Sequence, residues 1–244
     1  MDIAKLLRLA ADPSALKALF TWPKFSVTSY EMAHELKRVG VAPATVIDVG
    51  ANVGQFAVAM AKTFPGVAIH SFEPGPETAA SLRKNVASLP GVVVYPLALG
   101  ERKGKASLNV NTHSHSSSIL PLAQAHMDAF PGAVTAGTVE VEVATLDGIF
   151  SDIEIKSPSL LKLDVQGYEL AVLKGAAGTL ARVDHVLLEI SFRPLYEGEA
   201  VFSEILKFME SAGFELARPV GWLSSPRTGE LLQIDGLFSR KKSG

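Results

Sequence analysis

Cysteine is absent from the 244 residues. Its absence excludes disulfides, thiolate zinc sites, cysteine-held iron–sulfur clusters and a thiol nucleophile, and leaves the redox compartment open. Any chemistry must use oxygen or imidazole groups. An excess of positive charge is also missing: 23 Lys and Arg stand against 25 Asp and Glu, a formal net charge of −2. No basic face is forced by composition, which excludes a general nucleic-acid binder. No run reaches the ~18 consecutive apolar residues that span a bilayer. What is present is 48% hydrophobic residues and a mean hydropathy of +0.24, enough for one substantial core.

The opening segment carries Ile3, Leu6, Leu7 and Ala10 at helical spacing, interrupted by Lys5, Arg8 and Asp12 before a secretory core forms. It reads as a helical cap over 1–40, in front of a domain over 41–244, and the expected location is cytoplasmic. From position 40 onward short apolar runs alternate with helical patterns, the signature of a mainly parallel sheet with helices on both faces. Strands are expected at 45–49, 67–72, 92–95, 160–165 and 186–190, with helices at 55–64, 76–89, 169–181 and 202–212. The first strand is almost continuously apolar, as burial on both faces demands. Late strands are expected at 214–217 and 231–234. The rhythm breaks at about 101–145, where a hairpin turn leads to a strand at 105–110 and a long polar stretch runs from Asn111 to Gly137. The alternating run 138–145 then reads as a half-exposed edge strand. A polar stretch of that length inside a compact domain marks a functional insertion, read here as a lid.

The motif Asp48-Val-Gly-Ala-Asn-Val-Gly-Gln55 places Gly50 and Gly54 where a buried strand ends and a helix begins. Glycine there permits a tight turn and close backbone approach to a ligand. The third glycine of the dinucleotide fingerprint is missing, as is the Gly-Lys-Ser/Thr of a phosphate-cradling loop, so the ligand has no polyphosphate. Glu73, in Ser71-Phe-Glu-Pro74, lies 23 positions after Gly50. A carboxylate at the tip of a second strand accepts both hydroxyls of a ribose. It also serves as an acidic group at the start of the next helix. Loop and acid together imply an adenosine-type cofactor.

These residues resemble the S-adenosylmethionine-dependent methyltransferases, and within them the FkbM family. The resemblance rests on the order of several motifs: the 48–55 loop, Phe72-Glu-Pro74, Ala98-Leu-Gly100, Ser116-Ser-Ser118, Thr145-Leu-Asp147, Leu161-Lys-Leu-Asp-Val-Gln-Gly-Tyr-Glu169 and Val172-Leu-Lys-Gly175. Gln166 stands where that family often has Glu. The resemblance implies a Rossmann-like class I methyltransferase fold, α/β with a seven-stranded sheet of order 3-2-1-4-5-7-6, the last strand antiparallel. It implies S-adenosylmethionine as cofactor, and transfer of its methyl group to a hydroxyl of a small-molecule or glycan acceptor such as a sugar or polyketide-type metabolite. It places Asp48, Gly50, Asn52 and Gly54 around the methionine part, Glu73 at the ribose, and Leu97 and Ala98 at the adenine. Asp164 and Glu189 fall at the carboxyl ends of the fourth and fifth strands, where ligands of such sheets bind.

For the acceptor proton the candidates are Asp164, Glu189, His113 and His115, the histidines having the better intrinsic pKa for a base near neutrality. Alternatively Asp164 and Glu189 jointly hold Mg²⁺, a hard cation suited to oxygen ligands. Tyr168, Phe192, Tyr196 and Trp222 are candidates for an acceptor wall. Two other functions stay open: an NAD or nucleotide-sugar oxidoreductase, against which the missing third glycine counts, and a non-catalytic binding module, which Gln166 favours.

Overall fold

The structure is a computed structural model and describes residues 12–111, 117–130, 132 and 135–241. Helices α1 (Pro13–Thr21) and α2 (Val27–Arg38) precede strand β1 (Thr45–Val49), helix α3 (Gln55–Thr63), β2 (Ala68–Phe72), α4 (Pro76–Val86) and β3 (Val92–Tyr95). The two-residue β4 (Ala98–Leu99), β5 (Gly104–Asn111), α5 (Gln124–Ala129), β6 (Thr135–Ala144) and α6 (Leu146–Ile149) follow. Next come β7 (Ser159–Leu163), α7 (Glu169–Lys174), α8 (Ala177–Leu180), β8 (His185–Ser191), α9 (Phe202–Ser211), β9 (Phe214–Ser224) and β10 (Leu231–Arg240).

The main sheet has the order β3-β2-β1-β7-β8-β10-β9, which is 3-2-1-4-5-7-6 when its own strands are counted along the chain. β1 runs parallel to β2 and β7, and β7 to β8, while β10 is antiparallel to both neighbours. Alternation along β1 divides the core. Ile47 and Val49 face Phe72, Phe150, Leu173, Ile205 and Phe214, whereas Val46 faces the other side with Leu36, Phe56, Met60 and Leu82. Both faces of β1 are therefore buried, which explains its unbroken apolar run apart from Asp48. Helix α2 packs on α3 through this second cluster, and α1 rests on Tyr30, Trp22 and Phe25. No helix among the described residues is long and apolar enough to cross a membrane.

Three departures from the sequence reading have physical causes. The helix expected at 169–181 is broken into α7 and α8 at Gly175 and Ala176, where the backbone leaves helical geometry and Gly175 packs so closely on Gly100 that a Cβ on it would overlap the Gly100 carbonyl. The run 138–145 does not edge the main sheet; β6 is the centre of a separate sheet of order β4-β6-β5. The late strands are far longer than 214–217 and 231–234, since β9 and β10 form an antiparallel ribbon whose pairing shifts register at three places. Within 111–137 the described part is packed. Ser118 bridges Asn109, Leu122 bridges Tyr196, and Ala129 and Phe130 join Leu195 and Leu232 in a small apolar cluster.

Candidate active site

The carboxyl ends of β1, β2, β7 and β8 open into a cavity of about 1220 Å³. Its first wall is the turn after β1. Gly50 (φ 77°) and Gly54 (φ 93°) adopt the left-handed conformation, and so does Asn52 (φ 48°), whose Oδ1 accepts the Val53 amide at 2.8 Å. A Cβ on Gly50 would overlap the Asp164 carbonyl oxygen, so the turns after β1 and β7 meet backbone to backbone. Glu73 fixes this turn from the side. Its Oε2 accepts the Asn52 amide at 3.0 Å and its Oε1 the Gly75 amide at 2.9 Å, tying the glycine turn to the start of α4. Burial pushes the Glu73 carboxyl up, against the lowering effect of those two amides.

Gly50, Asn52, Glu73, Leu97 and Ala98 all line the cavity. Asp48 and Gly54 support it from behind: Asp48 is fully buried, and a Cβ on Gly54 would come within 2.7 Å of Leu82 in α4. Beneath the turn lies a group that the sequence reading does not single out. Lys162, buried in β7, donates to the Gly50 carbonyl at 3.2 Å and pairs with Asp48 Oδ1 at 3.5 Å and Asp164 Oδ2 at 3.2 Å. Burial alone would lower the Lys162 ammonium, but Asp164, Asp48 and Glu189 together hold it above its ordinary value. Burial raises Asp48, with Lys162 opposing.

Asp164 and Glu189 do come together, through Gln166. Its Nε2 donates to Asp164 Oδ1 at 2.6 Å and to Glu189 Oε2 at 2.8 Å, while its Oε1 accepts the Tyr196 hydroxyl at 2.6 Å. Gln166 (φ 59°) is held in a left-handed turn with Gly167 (φ 93°), and Ser118 Oγ donates to its carbonyl at 2.6 Å. Burial, then Asp164, Asp235 and Glu169, push the Glu189 carboxyl well up. Glu169, buried behind the turn and accepting the Val165 amide at 2.9 Å, is pushed up by burial to about 8. Arg193 pairs with Glu230.

The donor set does not suit Mg²⁺. The space between the Asp164 and Glu189 carboxylates is taken by an amide nitrogen carrying two donors, and among the described residues no group of three His, Asp or Glu could hold a metal. His113 and His115 lie outside the described residues. Tyr168, Tyr196 and Trp222 line the cavity, whereas Phe192 stacks on Phe202 at 5.1 Å. A further histidine joins the wall from α5: His126, buried, sits edge-on to Tyr196 at 5.4 Å, and burial lowers its imidazole. Nothing in the sequence around it signals this, because α5 arises within a polar stretch without periodicity.

Residues 48–216 match the family model described as the methyltransferase FkbM domain. The chain is 28% identical over 177 residues to the 2-O-methyltransferase NoeI of Sinorhizobium fredii, covering 70% of this chain and 72% of that protein. It is 30% identical over 143 residues to the hexuronic acid methyltransferase AglP of Haloferax volcanii, covering 59% and 54%. It is 26% identical over 241 residues to the 31-O-demethyl-FK506 methyltransferase FkbM of Streptomyces tacrolimicus, covering 87% and 90%. Among solved structures it resembles magnesium protoporphyrin IX methyltransferase of Synechocystis PCC 6803 with bound SAM. That likeness has a TM-score of 0.51 at 10% identity and covers 88% of this chain and 78% of the other.

Proposed function

The chain belongs to the FkbM methyltransferase family, and on that premise we propose that it transfers a methyl group from S-adenosylmethionine to a hydroxyl oxygen of a sugar, glycan or polyketide-type metabolite. Its fold is that of the class I methyltransferases. The observation that carries the reading is the junction of the turns after β1 and β7: Gly50 meets the Asp164 carbonyl so closely that no side chain fits between them, which sets the glycine turn beside the Asp164 carboxylate on one wall of the cavity.

The residues suit the cofactor. Glu73 would hold the ribose, Leu97 and Ala98 would face the adenine, and Gly50 and Asn52 would bound the methionine part, all five lining the same cavity. The cavity wall carries Glu31, Glu73, Asp164, Glu189 and Asp235 against Lys24 and Lys162, an acidic surplus that would complement a sulfonium cation. When bound, that cofactor supplies an electrophilic methyl group for in-line displacement. Asp164 then orients the acceptor hydroxyl and takes its proton, its side chain being 39% exposed to the cavity while the carboxylate stays on Lys162. Holding the reacting atoms in line would supply much of the acceleration, and the turns after β1 and β7, which meet backbone to backbone, would be the frame for it. Ser118, Tyr196 and His126 of α5 line the side of the cavity where the acceptor would sit. The O-methylating and sugar-directed relatives support this acceptor class, and no feature of the site favours the oxidoreductase alternative.

The test is incubation with methyl-labelled S-adenosylmethionine and a panel of methyl glycosides, hexuronic acids and macrolide-type polyols. Label in an ether product, with S-adenosylhomocysteine released in equal amount, is the expected result. Tight NAD binding without any binding of S-adenosylmethionine or S-adenosylhomocysteine refutes the reading.

A further inference from the structure

Two carboxylates turned toward one another repel, and unless a donor lies between them one of the two is driven to hold a proton. Here the hydrogen atoms between Asp164 and Glu189 belong to Gln166 instead. Each N–H of its Nε2 is committed, one to each carboxylate, and its Oε1 is committed to the Tyr196 hydroxyl. Tyr196 is itself locked: its ring is fully buried and packs under Gly167, where a Cβ would approach within 3.0 Å. The two carboxylates only accept, so they turn Nε2 toward themselves, and the Tyr196 hydroxyl, which can donate or accept, then donates to Oε1 and anchors the amide from its other end. The Ser118 bond to the Gln166 carbonyl fixes the backbone from the insertion side.

We infer that Gln166 is a positioning residue: its amide stands in for the shared proton, keeping Asp164 and Glu189 aimed as a pair whose geometry does not change with pH. This deepens, and rests on, the methyl-transfer reading, because it leaves Asp164 free to accept a proton from the acceptor rather than from its neighbour. The surrounding charges do not replace this function. From β7, Lys162 reaches Asp164 but has no bond to Glu189. From β10, Asp235 opposes Glu189 in the strand register and adds like charge. Glu169 of α7 and Glu199, which accepts the Tyr196 amide at 3.0 Å, add more of the same sign, and His126 touches the group only through the Tyr196 ring.

Gln166→Glu keeps the shape and exchanges the amide for a titrating group. A protonated carboxyl donates one hydrogen bond at most, and an ionised one none, so the variant regains part of the arrangement only while it holds a proton. Unfolding midpoints of the full chain, free and with S-adenosylhomocysteine, are compared with wild type from about pH 5.5 to about pH 8.5. The expected difference is small at the acidic end and grows to about 5 °C at the alkaline end. The rate of transfer to the glycoside acceptor should follow the same divergence, reaching at least about tenfold in kcat with the cofactor KM within about twofold. Variant and wild-type profiles that run parallel overturn the inference. Should Gln166→Glu not fold, Tyr196→Phe serves: it alters no charge and removes the bond that anchors the amide oxygen. It should lower kcat severalfold at constant cofactor KM, and a wild-type kcat overturns the inference. A wild type that gains no stability from S-adenosylhomocysteine counts against the methyl-transfer reading; the role of Gln166 is then decided separately, by whether the free proteins diverge with pH.

Discussion

Replacing Lys162 by Met removes a cation that touches two carboxylates and a carbonyl while nearly preserving its volume. Lys162 is 7% exposed and Asp48 is fully buried, so the substitution strands a charge that water cannot reach. Breaking a buried pair from one side costs about 3–5 kcal/mol. With a urea dependence of about 2–3 kcal/mol per molar, the unfolding midpoint should fall by about 1–2 M. Asp48 then relieves the strain by taking a proton. Its folded-state pKa lies above its unfolded value of about 3.9 and rises further without Lys162, so its penalty grows as pH increases through that window. The deficit of Lys162→Met should therefore be smallest near about pH 4 and larger near about pH 7, where wild-type Lys162, protonated throughout, contributes a constant amount. Adding Asp48→Asn to Lys162→Met removes the stranded charge and should recover about 2 kcal/mol. Urea titrations of wild type, Lys162→Met, Asp48→Asn and the double variant at several pH values measure all of this. Effects that add within about 0.5 kcal/mol, together with a deficit independent of pH, refute the argument that Asp48 depends on Lys162.

Gly50→Ala forces a Cβ into the Asp164 carbonyl at a left-handed φ, and should cost about 3 kcal/mol or more by chemical denaturation, with loss of cofactor binding. Glu73→Ala removes the acceptor of two backbone amides as well as the proposed ribose ligand, and calorimetry should show cofactor binding weakened by about 1.5–3 kcal/mol. An unchanged affinity would reduce Glu73 to a tie between the turn and α4. Asp164→Asn should lower kcat by about 10²-fold or more while S-adenosylhomocysteine affinity stays within about threefold, and a chelator should leave wild-type turnover unaltered.

The layered α/β fold was legible because its signals are local. An unbroken apolar run at 45–49, glycines at its end and an acid at the tip of β2 all lie within one stretch of chain, and each carries its own physical reason. The turn after β1 and the placing of Asp164 and Glu189 at strand ends follow from the same logic. What escaped depends on partners far apart. Lys162 reads as an interruption of an apolar strand until β1 and β7 lie side by side and set Asp48 next to it. Gln166 reads as a departure from a family pattern, because its partners Glu189 and Tyr196 lie 23 and 30 positions away. The break between α7 and α8 is invisible until the Gly100 backbone is seen packed against Gly175 so closely that only glycine fits. His126 belongs to a six-residue helix, too short to leave a periodic trace.

The shifted pairing of the β9–β10 ribbon has a bearing on solubility. β9 is the outer edge of the main sheet, eleven residues long, and a straight edge of that length would offer a row of free amides and carbonyls to any passing chain. Pro219 lacks an amide hydrogen to offer, Gly221 contributes no side chain to a pairing face, and the register slips between Leu231 and Gln233, Asp235 and Gly236, and Leu237 and Phe238 twist the ribbon out of flatness. At the opposite edge β3 is four residues long. Neither border presents a long regular template, so the sheet that carries the site resists growing by addition of foreign strands, and substitutions that straighten β9 should first be felt as aggregation rather than as lost activity.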